Sequence, residues 1–482
     1  MTNALQNDSS IGHYLVASGM LGGYFALILT FGEAEHEAEH IVGYVCLFVQ
    51  LLACIGILYA CIAMNRRRND WIKEKRRSTV IITKVVVLWI FGFAQCFLHV
   101  VYDNLRLNCG DIYILLSQNV ARYNYIVFTF LQTLFISYCS QYTFFDSWKM
   151  RYIISLLTIS NLFKWLEANI FSIFVKTSSD ISNYYETMQN CSYIKENNLE
   201  WVFRVTDMLL TPLLMEFSIL AATLIFGLSL SGNSRNPQHH LDRFRGQPES
   251  YREAAINIQL SRKHKLTTVV IGTILNAPFV FYAIMFTVDE HLLVEMIFPW
   301  LLSILGAKIV IFFLILIAFH IFHRILQIQI ENRHLNFDSA ALILCSCVVS
   351  LSGVVNFLFP HGRNLPLITF HTWFNVIYTI YQTIFILFGT SVEIRRGDPR
   401  VLTTARVIVI TLISYNLLYW MKDSLFFQRS IENDTRNNFI RTIFFVLYPF
   451  QSFYRFQSAM ELLLLYSKLC APHLRMSHHT LR

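Results

Sequence analysis

Charge is scarce in this chain. Of 482 residues, 15% are Asp, Glu, Lys or Arg, against 55% that are hydrophobic. A soluble protein of that length cannot bury so much apolar surface. The short alternation of polar and apolar residues that marks a membrane β-barrel is missing as well. No phosphate-binding G-x-x-x-x-G-K loop, G-x-S-x-G elbow or H-E-x-x-H helix is present, so the sequence carries no enzymatic signature and calls for no cofactor. Proline is rare, 10 in all, which gives little support to the broken helices of many secondary transporters. Residues 1–10 hold Asp8 but no Lys or Arg, so the first apolar stretch reads as a retained helix and not as a cleaved leader.

What the chain does have is apolar runs of about 20 residues, the length that crosses a bilayer. Twelve are expected, at 11–31, 41–63, 79–101, 123–143, 152–175, 208–231, 266–287, 293–322, 338–358, 368–392, 402–427 and 442–468. Each must be helical, because lipid satisfies no backbone donor. With both termini cytosolic, most Lys and Arg fall inside, led by "NRRRNDWIKEKRR" at 65–77 and the segment 232–265. The net charge of +8 then reflects membrane orientation and excludes nucleic acid as a partner. Two sequons, at Asn190 and Asn433, fall outside in this topology and are expected to be glycosylated, whereas Asn7 would stay bare. Most of the ten Cys lie in spans. Cys109 and Cys191 lie in separate outer loops, where a disulfide between them is allowed.

The chain also repeats itself. "FLQTLFI" at 130–136 matches "IYQTIFI" at 380–386, and "NLFKW" at 161–165 matches "NLLYW" at 416–420. Pro212 in "TPLLMEFS" and Pro449 in "YPFQSFYR" then close each series in the same order. Six spans per half is an even number, so the halves enter from one side and the repeat is parallel. The expected organisation is an N-terminal half at 1–231, a cytosolic linker at 232–265, a C-terminal half at 266–470 and a cytosolic tail at 471–482. An amide in mid-membrane is costly unless it faces other helices or water. Asn161 and Trp165 share a helix face, with Gln132 at similar depth on the preceding span.

These residues resemble the otopetrins, a family of proton channels. The likeness rests on Gln132 in "LQTLFI", "TISNLFKW", "PLLMEFSIL", Gln382 in "YQTIFI" and "YPFQSFYRFQSAMEL", in two halves of six helices. The resemblance implies an all-α polytopic membrane protein with two six-helix, barrel-like halves. It also implies a homodimer in the plasma membrane, surrounded by lipid or sterol, that conducts protons into the cell in response to external acid. A Gln–Asn–Tyr constriction is implied in each half: Gln382, Asn416 and Tyr454 in the second, Gln132 and Asn161 in the first. Phe217 stands at the first half's Tyr position, because Pro212 to Phe217 and Pro449 to Tyr454 are both five residues. The family's functional Glu in the sixth helix matches Glu216.

Read as chemistry, Glu216 is either a proton-exchanging carboxyl or a structural partner of a buried cation such as Arg455 or Lys308. The amides either order water in a narrow path or staple helices together. His371 lies eleven residues before Gln382, three turns along one face, and could pass protons near the outer mouth. Lys164 and Glu167, at i and i+3, can neutralise each other, and Lys422 and Asp423 fall at a comparable place. The stretch "FGEAEHEAEH" gathers Glu33, Glu35, His36, Glu37, Glu39 and His40 in an expected outer loop. His36 and His40 have the i, i+4 spacing of a weak inhibitory zinc site, and the loop could sense pH or simply concentrate cations. The competing function is a proton-coupled transporter of a small solute, which shares the two-half build.

Overall fold

The computed structural model describes residues 37–66, 71–75, 79–109, 112–144, 147–175, 191–232, 290–325, 327–330, 337–358, 366–396, 399–432 and 438–470, with isolated residues between 270 and 277. The first expected span, nearly all of the seventh, the linker, the tail and both sequon asparagines lie outside the described residues.

The described chain is almost entirely helical and divides into two compact units, Met1–Arg235 and Asn236–Arg482. Unit 1 contains α1 (Glu37–Arg66), α2 (Thr79–Asn108), α3 (Ile112–Cys139), α4 (Trp148–Val175), the short α5 (Ser192–Glu196) and α6 (Glu200–Gly232). Unit 2 contains α7 (Glu290–His320), α8 (Phe337–Leu358), α9 (Pro366–Ser391), α10 (Pro399–Glu432) and α11 (Asn438–Cys470). A π-helical turn at Ile321–Ile325 extends α7.

The helices are inside out by the standard of a soluble protein. On α2 the exposed residues include Val86, Ile90, Phe93, Phe97 and Val100, spaced at three and four. On α9 they include Phe370, Trp373, Ile377, Ile380 and Ile384. Gln95, Gln132, Asn161, Gln382 and Asn416 are buried instead. Apolar stripes of that size facing water would drive aggregation, whereas facing acyl chains they cost nothing. Among the described residues, five helices are long and apolar enough to cross a membrane, within Tyr44–Arg66, Ile81–Leu105, Leu301–His323, Asp338–Leu358 and Val401–Asp423. The chain is a helical membrane protein.

Several helices start earlier than the apolar runs do. The fourth run was expected from 123, yet α3 starts at Ile112. The sixth was expected from 208, yet α6 starts at Glu200 and carries Pro212 inside it. Hydropathy marks the hydrocarbon-facing length, but backbone hydrogen bonding continues through the polar turns beyond it. The expected outer loop is likewise partly helix: α1 begins at Glu37, so Glu37, Glu39 and His40 lie in its first turn. Glu33, Glu35 and His36 lie outside the described residues.

Four short strands were not expected at all. In unit 1, β1 (Ile72–Lys75) pairs antiparallel with β2 (Tyr142–Phe144). In unit 2, β3 (Gln327–Ile330) pairs antiparallel with β4 (Val392–Arg396). β1 joins α1 to α2 and β2 joins α3 to α4. β3 and β4 hold the same places between α7 and α8 and between α9 and α10. Each two-stranded ribbon therefore ties together two connections at one end of its unit.

The helix neighbours also correspond. In unit 1, α1 packs on α3 and α4, α2 on α3 and α6, and α6 on α3 and α4. In unit 2, α7 packs on α9 and α10, α8 on α9 and α11, and α11 on α9 and α10. Close approach sets the separation at particular points. A Cβ on Gly389 would lie 2.7 Å from Leu465, so α9 and α11 meet there only because the side chain is absent.

At the opposite end of unit 1 from its strand pair, Cys109 after α2 is disulfide-bonded to Cys191 before α5, with Cα atoms 5.7 Å apart. Tyr102, Leu105, Ile194 and Phe203 form a small core beneath that link.

Candidate functional site

The repeated amides meet as the spacing predicted. In unit 1, α3 and α4 bring Gln132 and Asn161 together in a reciprocal pair. Gln132 Nε2 donates to Asn161 Oδ1 at 2.9 Å, and Asn161 Nδ2 donates to Gln132 Oε1 at 2.8 Å. Asn161 Nδ2 also reaches Leu157 O at 2.7 Å. In unit 2, α9 and α10 bring Gln382 Nε2 to Asn416 Oδ1 at 2.9 Å, and Asn416 Nδ2 turns to Leu412 O at 2.8 Å. Here the pair is not reciprocal, because Gln382 Oε1 accepts from the Tyr378 hydroxyl one turn earlier. All four amides are 0–1% exposed, so both pairs are buried interhelical contacts.

The third constriction position separates the units. Tyr454 is fully buried on α11, where its hydroxyl donates to Thr379 O at 3.0 Å and lies 3.0 Å from Thr383 Oγ1. Thr383 Oγ1 in turn lies 3.0 Å from Ser346 Oγ on α8. Phe217 is equally buried but has no hydroxyl. Its ring edge occupies space left by Gly92 on α2, where a Cβ would meet Phe217 Cε2 at 3.3 Å. Unit 1 places its polar contacts elsewhere: Gln95 Nε2 donates to Tyr125 OH at 2.9 Å and Thr129 Oγ1 at 3.2 Å, and Asn124 donates to Gln50 Oε1 at 3.1 Å.

Glu216 is buried midway along α6, beside Phe217. Lys164 and Glu167 form the expected ion pair at 3.0 Å, both partly exposed, with the ammonium 5.1 Å from the Tyr125 ring centre. Lys422 and Asp423 lie 3.2 Å apart, yet among the described residues neither Asp423 oxygen accepts a well-formed hydrogen bond.

His371 lies in unit 2 and lines a cavity of ≈ 190 Å³ with Lys308, Asn375, Tyr419, Lys422 and Asp423 among its walls. Its Nε2 is 3.0 Å from Lys308 Nζ, which also donates to Asn375 Oδ1 at 3.1 Å. Arg455 Nη2 donates to the same oxygen at 3.2 Å. The guanidinium sits over the Tyr419, Tyr378 and Tyr454 rings, 4.6, 5.1 and 5.5 Å from their centres. Asn375, Tyr378 and Gln382 follow one another at spacings of three and four on α9, so polar groups run from the cavity wall to the amide pair.

Tyr378, Thr383, Ser346 and Asn375 were not anticipated. A signal existed for some of their neighbours: Thr129 and Thr133 flank Gln132 as Thr379 and Thr383 flank Gln382. Among the described residues, no cluster of three or more His, Cys, Asp or Glu has metal-binding geometry. No family model matches the chain, and no curated protein matches it either.

Proposed function

We propose that the chain is a proton-selective channel of the plasma membrane that admits protons on external acidification, with unit 2 as the conducting route. The observation that carries this reading is the buried polar series from the cavity through Asn375, Tyr378, Gln382 and Asn416, flanked by Tyr454, Thr383 and Ser346. A metal ion with any hydration shell does not pass a contact that is 0% exposed at Gln382 and Asn416. A proton needs only a transient water and exchange of hydrogen bonds between neighbouring groups. Amides and phenols do not titrate usefully near neutrality, so they position water along this route.

The full arrangement belongs to the same proposal: twelve spans in two parallel halves, both termini cytosolic, assembled as a homodimer in lipid or sterol. The corresponding helix neighbours and the corresponding strand pairs support the repeat. The Cys109–Cys191 link supports an oxidising, outer location for that end of unit 1, opposite the Lys-bearing β1. Glycans at Asn190 and Asn433 follow from the same topology.

The test is a whole-cell patch clamp under an external pH step. The expected current reverses at the proton Nernst potential, and a reversal that ignores the proton gradient would sink the channel reading. The cavity in unit 2 favours one alternative, a proton-coupled transporter that seats a small solute there. Saturable solute uptake without a Nernstian proton current identifies that alternative.

A further inference from the structure

The cavity in unit 2 has an unusual charge balance. Lys308 is 1% exposed, and its hydrogen-bonded partners are His371, Asn375 and the Tyr419 hydroxyl, none of them a carboxylate. Arg455, 0% exposed, is hydrogen-bonded to the same Asn375 oxygen, and its Nε and Nη1 make no hydrogen bond among the described residues. A single amide oxygen thus serves two buried cations. Removing ions from water without a counter-charge is among the most unfavourable arrangements a fold can hold.

The cavity's own walls carry Lys308 and Lys422 against Asp423, the one carboxylate among the described lining residues. Asp423 lies against Lys422, which leaves the lining one positive charge in excess, with Arg455 adjoining it through Asn375. Because Asn375 Oδ1 is occupied by the two cations, its amide NH2 remains the group's donor side. Ser352, Asn356, Thr372 and Gln451 complete a wall of hydroxyls and amides.

We propose that this cavity is a binding site for a small monovalent anion, a halide or a short carboxylate, held by Lys308 and the surrounding amide and hydroxyl donors. One such anion neutralises the lining, and a volume of ≈ 190 Å³ admits it with attendant water. Anion binding does not depend on whether the chain conducts protons.

Chlorine NMR line broadening on the purified full chain in lipid nanodiscs tests it directly, with chloride as the probe. Wild type should give saturable excess broadening. Acetate should displace chloride if short carboxylates fit, while sulfate should compete at least about tenfold less well than a monovalent ion of the right size. Lys308→Met, checked for native size on gel filtration, should weaken chloride binding by about tenfold or more. Asp423→Asn removes the competing negative charge and should tighten binding by about threefold or more. Non-saturable broadening, or a folded Lys308→Met that binds as wild type does, overturns the site. Should Lys308→Met fail to fold, Asp423→Asn decides alone, and unchanged or weaker binding there counts against it.

Discussion

The two units place the same amide pair between the same two helices and surround it differently. In unit 1, Gln132 and Asn161 satisfy each other and the Tyr positions are Phe128 and Phe217. In unit 2, Gln382 is shared between Asn416 and Tyr378, and Tyr454 extends the polar contacts to Thr383 and Ser346. The neighbouring helix differs too: Gly92 lies against Phe217, whereas Ser346 joins Tyr454 through Thr383. A closed reciprocal pair is a staple, whereas an open one leaves a chain of exchangeable hydrogen bonds. One backbone arrangement thus carries a closed amide pair in unit 1 and an open, longer polar series in unit 2.

The comparison breaks first at the glutamines. Gln382→Met keeps the volume but strands the Tyr378 hydroxyl and Asn416 Oδ1, and current should fall by at least about tenfold at equal surface expression, which corresponds to 1.4 kcal/mol. Gln132→Met should cost about 1–3 kcal/mol of stability, through Asn161 left half-satisfied, with current per surface channel largely kept. The reverse result, current lost in Gln132→Met and kept in Gln382→Met, would move the route to unit 1.

A second break is confined to unit 1. Cys109→Ser opens the link that closes 82 residues of sequence separation over the Tyr102–Phe203 core. It should destabilise the protein by about 2–5 kcal/mol, seen as a lower melting temperature and a mobility change on a non-reducing gel. A melting temperature equal to wild type would mean the core beneath holds that end unaided. Reductant should mimic the variant while leaving chloride binding in unit 2 intact.

Duplication made the amide pairs legible. Gln132 and Gln382 stand in nearly the same heptapeptide, and each Asn follows by a span-and-loop length, so the corresponding positions and similar depth could be read before any coordinate, though not that each Gln bonds directly to its Asn. Phe217 was recognised as the odd position by its distance from Pro212. The Asn375 junction was not legible, because one amide among many polar residues gives no hint that two cations from α7 and α11 converge on it. The strands were faint as well. "QIQI" at 327–330 does alternate, but four residues are too few to distinguish a strand from the end of an apolar helix. The ends of α3 and α6 escaped because hydropathy reports lipid contact and helices outlast it.

Tyr454→Phe sharpens the comparison at smaller scale. It deletes one hydroxyl that donates to Thr379 O, and its cost should be about 0.5–1.5 kcal/mol in stability, with a several-fold drop in current. If current stays at the wild-type level, Tyr454 is packing alone and the polar series ends at Gln382.

The smallest expected effect comes from writing unit 2's chemistry into unit 1. Phe217→Tyr adds a hydroxyl to a ring whose edge already lies close against Gly92, where a Cβ would meet it at 3.3 Å. Thr129 O holds the place of Thr379 O, and Thr133 that of Thr383, so the new hydroxyl finds the acceptors that Tyr454 uses. Stability should change by less than about 1 kcal/mol, read as a shift of a few degrees at most in the melting curve. The informative background is Gln382→Met, where unit 2 is silent. Adding Phe128→Tyr and Phe217→Tyr there should return a small proton current if the missing hydroxyls are what keep unit 1 closed. A melt lowered by far more would show that Gly92 and Phe217 are already at packing contact. A silent but stable triple variant would assign the difference to the cavity cations around Lys308 and Arg455 in unit 2, whereas in unit 1 Lys164 is neutralised by Glu167.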